Sequence, residues 1–451
     1  MRKKLRCVGV TSGIGSMLLG ARQAGFEIVG NFEWRKYYHK KDAEGRNTFT
    51  MNFPKAFFTE QYPQDHPEWL EECRNIDIIF GHGECGHASA LNFSNKNYKT
   101  QQSGTSDIPK LVKAVAVIKP RFFALDNLPA SCNGMPLSEY HRLLPDYDIF
   151  PEWVSNYHYG NTQLNRKRMF MVGALKTEKF AFVPGEFAHS ITIKDVIGDI
   201  YGKDGKGIPN HEKHVLDDPC GKISDFYEYG YRGTWRDFQK VMSERPEGPP
   251  LPYISKDGTP RVRMGTAKVR WNGHAFVLDG GSVCTHPLRN LPLSIRERAR
   301  IQGFPDNFLF YGTRLDKKGQ WSHDKNNDMV KETGKAMPIQ FNKYVAEQVR
   351  VHIEGKKFKS SNERMIDPNE RITTEKKWYC EQVGYSNQKG ACAACWMREY
   401  CTLPRYAGPK HAPLDWLTKA PVKRIPRVKA VKEYAVPLGA VFEEFSSDKK
   451  P

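Results

Sequence analysis

The 451-residue chain contains no apolar run approaching the roughly 18 residues a membrane-crossing helix needs, so no such helix is expected. Its N-terminus, MRKKLRCVGVTSGIG, starts basic, but Thr, Ser and glycines break the apolar stretch that follows. It therefore makes a poor signal peptide. Acidic side chains are in short supply, 51 against 69 Lys and Arg, leaving a formal charge of +18. That imbalance points to a polyanionic partner, most often nucleic acid; a merely basic soluble enzyme is the plainer alternative. Cysteines are too few and too scattered for a disulfide framework. Six of the ten are dispersed (7, 73, 85, 132, 220, 284) and four cluster late (380, 392, 395, 401), a pattern suited to a reducing compartment with one metal site. No internal repeat is visible in the sequence.

What is present is an alternation of apolar strands and amphipathic helices. RCVGV at 6–10, FEIVGNFE at 26–33, IDIIFGHG at 76–83, PRFFALDN at 120–127 and RMFMVGAL at 168–175 read as strands. A helix follows the first through Met17 to Ala24, and IPKLVKAVAVI supplies another. This rhythm predicts an α/β, Rossmann-like open parallel sheet with helices on both faces, whose ligands sit at the carboxyl ends of the strands. From about 176 to 285 the chain turns aromatic and turn-rich, which predicts a smaller inserted domain. Helical patterning returns over 286–355. A polar basic linker leads into a cysteine-bearing extension over 356–404, and a Lys-, Arg- and Pro-rich tail at 405–451 reads as poorly ordered.

Thr11-Ser12-Gly13-Ile14-Gly15 lies between a strand and a helix, where glycines let the backbone approach a ligand and helix N–H groups face it. Glu33 ends the next strand and can accept hydrogen bonds from two ribose hydroxyls, and Trp34 beside it can pack on an adenine face. Together they predict a nucleoside-containing cofactor; a tight turn is the other reading of a lone Gly-x-Gly. Cys85 follows the third strand in a glycine-rich bend. On spacing alone a small buried thiol leads slightly, while an exposed thiolate at a strand end is a nucleophile. Cys380, Cys392, Cys395 and Cys401 have the spacing C-x11-C-x2-C-x5-C, which suits either a [4Fe–4S] cluster or tetrahedral zinc. The ending C-x2-C-x5-C resembles iron–sulfur loops of certain DNA repair glycosylases and nucleases.

These motifs, in this order, resemble the DNA cytosine-5 methyltransferase family over roughly 5–175 and 285–350. SGIGSMLLGARQAGFEIVGNFEWRKYYHK is similar to its first cofactor motifs and FGHGEC to its nucleophile motif. LDNLPA is similar to its Glu-Asn-Val motif, YGNTQLNRKRMFMVG to its Gln-x-Arg-x-Arg motif, RNLPLSIRERARIQGFPDNF to its target-domain boundary motif and ETGKAMP to its final Gly-Asn motif. The resemblance implies a methyltransferase fold with a catalytic domain at 1–175 and 286–355 and a target-recognition domain at 176–285. It implies a transferase acting on double-stranded DNA with S-adenosylmethionine. Cys85 would add to C6 of a flipped cytosine, Asp126 would hold the N3/N4 edge, and Arg166 and Arg168 would stabilise charge at O2. A monomer in the cytoplasm of a bacterial cell, encoded by host or phage, is the expected setting.

The chain departs from the family at four places. Glu84 stands where the family has Pro, and a carboxylate beside a thiolate raises its pKa unless paired. Asp126 replaces Glu, and an extra residue separates Gln163 from Arg166. Lys335 stands where the family motif has asparagine. An ammonium near a sulfonium is repulsive, so Lys335 either faces solvent or a phosphate, or pairs with an anion on the transferred carbon. Carboxy-S-adenosylmethionine is such a donor, and its product would be 5-carboxymethylcytosine. A non-catalytic DNA-binding protein on a methyltransferase scaffold is the alternative of another class, and an RNA substrate a third.

Overall fold

The computed structural model describes residues 4–83, 107–127, 135, 137–155, 159–163, 166–183, 191–203, 207–211, 239–240, 242–244, 247, 252–254, 260–262, 267–275, 277–278, 284–312, 328–337 and 339–357. Cys85, Glu84 and the four late cysteines lie outside these residues, as do the expected extension and tail. The chain packs as two units. Of the described residues, one draws on those within 4–183, 302–304 and 336–357, the other on those within 191–301 and 305–335.

The first unit is built on a seven-stranded sheet of order β3-β2-β1-β4-β5-β7-β6. Its strands are β1 (Arg6–Val10), β2 (Glu27–Phe32), β3 (Phe57–Thr59), β4 (Ile78–His82), β5 (Phe122–Asn127), β6 (Tyr147–Ser155) and β7 (Lys167–Leu175). β4 and β5 are buried at every position, as central strands covered on both faces must be, and their polar residues His82, Asp126 and Asn127 come last. β1 to β5 run parallel. The all-parallel expectation fails at β6 and β7, which pair antiparallel with each other, β7 also running antiparallel to β5. The physical reason is the connection. Only residues 156–166 separate β6 from β7, too short a stretch for the helical crossover a parallel pair requires.

Helix Ile108–Ile118 joins β4 to β5. Pro109 stands in its first turn, and Lys119 closes it in the left-handed conformation (φ 52°). Its Leu111, Val112 and Val115 are buried in one core cluster with Val8, Val10, Ile79, Phe123 and Leu125. Helix Ser16–Gln23 packs against helix Ile339–Ile353 through Gly20, where an added Cβ would lie 2.7 Å from the backbone of both Ile339 and Lys343. Gly20 thus sets how closely the two helices approach, and burying the apolar face of the later helix covers one side of the sheet.

In the second unit, helix Ile193–Ile197 begins at a reciprocal cap between Thr192 and Asp195, and its Ile193 and Ile197 share a core with Ala267, Val269, Leu278 and Leu293. Arg296 is fully buried and donates to the carbonyls of Pro209, Pro305 and Phe308 at 2.9, 2.7 and 2.6 Å. Burial pulls its guanidinium down to about 10. Short strands Pro252–Ile254 and Pro260–Val262 pair antiparallel. Among the described residues no helix is long and apolar enough to cross a membrane.

Candidate active site

The chemistry-bearing residues of the first unit collect at the carboxyl ends of β1, β2, β4 and β5. β1 runs into the turn Thr11–Gly15. Thr11, Gly13 and Gly15 all have positive φ (52°, 63° and 87°), and helix Ser16–Gln23 starts directly after. Two side chains from the end of β2 clip this turn. The Asn31 amide donates to the Gly13 carbonyl at 3.0 Å, and the Gly13 N–H donates to Glu33 Oε2 at 2.7 Å. The buried Ser12 hydroxyl has no hydrogen-bond partner.

Glu33 is completely buried and accepts four hydrogen bonds. Oε1 takes the Arg35 backbone N–H at 3.0 Å and Arg35 Nε at 2.7 Å, while Oε2 takes Gly13 N–H and Arg35 Nη2, each at 2.7 Å. Four donors occupy the four lone-pair positions of a carboxylate. Arg35 also donates to the Thr11 carbonyl, and its guanidinium lies 5.0 Å from the Tyr38 ring centre. Trp34, expected to offer a face to adenine, is stacked on Tyr62 at 3.9 Å with the planes 29° apart.

Asp126, near the end of β5, is in register with His82 at the end of β4. His82 Nδ1 and Asp126 Oδ2 lie 2.7 Å apart with both side chains buried, and Asp126 Oδ1 has no hydrogen-bond partner. Thr11 Oγ1 donates to the His82 carbonyl at 2.7 Å. A hydrogen-bonded line therefore connects the glycine turn to Asp126. Phe170 of β7 is opposite Asp126, and Arg168, two residues earlier, shares its face of the sheet. Arg166 precedes β7, is buried, and donates through Nη2 to the Ala336 carbonyl at 2.6 Å. Gln163 is buried and donates to Gln302 Oε1 at 2.8 Å.

Lys335 is the last residue of helix Asp328–Lys335 in the second unit and is half-buried. Among the described cysteines, Cys7, Cys73 and Cys284 are buried free thiols. Burial pushes Cys73 up to about 12 and Cys7 well above its ordinary value, which disqualifies both as nucleophiles near neutral pH. No group of three or more metal-ligating side chains converges among the described residues.

Sequence reasoning missed Asn31, Arg35 and His82. Arg35 carried one usable signal: a cation two residues after an acid at a strand end is within reach of that acid once the chain turns. His82 stands visibly at the end of the strand IDIIFGHG, but nothing in that run marks its imidazole as a partner of Asp126.

Three kinds of relationship agree with this geometry. The chain is similar to the Type II methyltransferase M.MthTI of Methanothermobacter thermautotrophicus, 26% identical over 369 residues, covering 76% of this chain and 96% of that protein. It is similar to M.NgoPII of Neisseria gonorrhoeae at 23% identity, with 78% and 96% covered. A solved structure described as a DNA modification methyltransferase encoded within an E. coli prophage shares the fold. Its TM-score is 0.52 at 19% identity, covering 78% of this chain and all of that one. The family match spans residues 5–350, and so the chain belongs to the C-5 cytosine-specific DNA methylase family.

Proposed function

We propose that the chain modifies C5 of cytosine in double-stranded DNA, with Cys85 as nucleophile and S-adenosylmethionine as donor. The observation that carries this is the hydrogen-bonded line Thr11–His82–Asp126, which ties a glycine turn to a buried carboxyl group on neighbouring strand ends.

The residues suit an adenosyl sulfonium, on one condition. The unpartnered Ser12 hydroxyl and the positive-φ turn offer polar and backbone contacts. Glu33, by contrast, has no lone pair to spare for a ribose until Arg35 withdraws. Thr11, Ser12, Gly13, Gly15, Glu33 and Trp34 would hold the donor. When bound, the donor supplies an electrophilic carbon on sulfur.

The remaining chemistry belongs to the protein. Cytosine C5 is a weak nucleophile, and its base must leave the duplex to be reached. The Cys85 thiolate adds to C6, which places electron density on C5. Asp126 holds the N3/N4 edge and supports a proton at N3. Arg166 and Arg168 stabilise negative charge at O2. Once C5 carries the transferred carbon, a base takes the C5 proton, the C–H electron pair re-forms the C5–C6 double bond and the C6–S bond breaks, releasing Cys85. Residues 176–285 read the target, and 286–355 return to the catalytic part. Cys380, Cys392, Cys395 and Cys401, which lie outside the described residues, have a spacing that would hold a structural [4Fe–4S] cluster, with zinc as the competing occupant.

Mass analysis of nucleosides from duplex DNA incubated with the purified chain and donor tests the reaction. Covalent trapping on 5-fluorocytosine DNA, abolished by Cys85→Ala, tests the nucleophile. A chain that binds DNA without trapping or product is the non-catalytic scaffold instead. Brown colour with broad visible absorbance distinguishes the cluster from colourless zinc.

Lys335 favours a second reading: carboxymethyl transfer from carboxy-S-adenosylmethionine. A lysine where the family has asparagine suits a donor that carries a carboxylate on its transferred carbon. With both donors offered, 5-carboxymethylcytosine is the expected product, and Lys335→Asn shifts the preference to methyl. Methylcytosine alone, with donor choice unchanged in Lys335→Asn, refutes this second reading.

A further inference from the structure

We propose that His82 is a positioning residue for Asp126, fixing which carboxyl oxygen meets the target base. The inference rests on the cytosine-modifying reading above and gives a role to the His82 side chain, which that reading uses only as a link between the glycine turn and Asp126.

Four observations converge. His82 and Asp126 are register partners on adjacent parallel strands, so their side chains leave the same face at the same level. Nδ1 lies 2.7 Å from Oδ2, and both side chains are buried, at 5% and 0% exposure. His82 is itself anchored, since its carbonyl accepts from Thr11 Oγ1 at 2.7 Å, and Gly83 N–H donates to the Asp126 carbonyl at 3.3 Å. Finally, Asp126 Oδ1 is buried with no partner. Leaving a buried acceptor unsatisfied is costly, so it needs a reason. A base edge that supplies the missing partner on binding is such a reason.

The chemistry follows from the geometry. A contact of this length between an imidazole nitrogen and a carboxyl oxygen contains a proton, so Oδ2 is committed to His82 and Asp126 cannot turn its carboxyl plane. Oδ1 alone is left to face cytosine. Oδ1 then accepts from the cytosine N4 amino group, which fixes the base for addition of Cys85 to C6, while the donor at Oδ2 keeps the carboxyl group in place. Aspartate is one methylene shorter than the family's glutamate, and the imidazole occupies the space beside it. Orientation that a longer side chain would gain from its own packing comes here from the neighbouring strand.

The test uses the full chain with duplex DNA and S-adenosylmethionine. His82→Ala is expected to lower kcat about a hundredfold, the scale of losing one preorganised donor, with KM for both substrates little changed. His82→Asn places an amide N–H near the position of Nδ1 and is expected to restore most of kcat. His82→Ala should still trap on 5-fluorocytosine DNA, more slowly. Unchanged kcat in His82→Ala overturns the proposal, and so does His82→Asn as impaired as His82→Ala, which would make the role one of packing. An unsubstituted chain inert towards cytosine would overturn the functional reading and this proposal with it. An active chain indifferent to His82 overturns the proposal alone.

Discussion

Glu33→Gln should cost far more stability than a single-atom change suggests. The carboxylate is fully buried beside a guanidinium that is 7% exposed, and each of its oxygens takes two donors. Glutamine keeps one acceptor oxygen and replaces the other with an N–H2 group. If that group takes the Oε2 position, it faces the Gly13 N–H and Arg35 Nη2, so two donors lose an acceptor and meet another donor. At about 1–3 kcal/mol for each buried unsatisfied group, the loss is roughly 4 kcal/mol, in line with the 3–5 kcal/mol for breaking a buried pair from one side. Reversing the amide does not help, because it sets the N–H2 group against Arg35 Nε and the Arg35 backbone N–H. Calorimetric unfolding should show a fall of roughly 10 °C in the midpoint of the first unit. Arg35→Met should lose less, because Gly13 N–H and the backbone N–H of residue 35 still hold the carboxylate. The double variant should lose little more than Glu33→Gln alone, since the two side chains act as one pair. A Glu33→Gln loss below about 1 kcal/mol, or strictly additive losses, would refute the saturated-carboxylate argument.

Three further outcomes are expected. Arg35→Met frees two acceptor positions on Glu33 and should tighten S-adenosylmethionine binding by titration calorimetry; weaker binding would mean that Arg35 helps hold the donor. Gly20→Ala drives a methyl to 2.7 Å from the backbone of the partner helix and should destabilise by about 1–3 kcal/mol, seen as a lower denaturant midpoint. Arg300 donates to both Asp306 oxygens (2.8 and 2.5 Å) and to Asp199, and these bonds hold both carboxyls below their ordinary value. Their contribution is therefore complete above the unfolded carboxyl range near about 4 and is lost as pH falls through the lower folded values. Arg300→Met should remove that acid-sensitive part, flattening the stability profile below about pH 4 while lowering stability at neutral pH.

The strands that are legible in the sequence are the mostly buried ones: β1, β2, β4, β5 and β7 announce themselves by short apolar stretches with polar residues gathered at their ends. β6 did not, because YDIFPEWVS mixes acids and Pro151 with its apolar residues. Its place at the sheet edge is what tolerates that proline. Strand direction was not legible either, since it depends on the length of the connection and not on the strand. Within the site, Glu33 and Asp126 were visible as acids at strand ends. Their partners were not, because Arg35 reaches Glu33 only after the backbone turns, and His82 meets Asp126 only once the register of two strands is set. Cys85 and the late cysteines, which carry most of the chemical reading, lie outside the described residues.

The antiparallel direction of β7 bears on how an irregular motif can be accommodated. A strand running against its neighbours presents its first residues, not its last, at the edge where the parallel strands end. The ladder to β6 is engaged from Lys167 onward, with Arg168 opposite Val154. The extra residue after Gln163 falls upstream of that first rung. It lengthens the approach to the sheet without moving any residue to the other face, whereas one residue inserted after Lys167 would invert the side of every arginine and apolar side chain on the rungs it displaced.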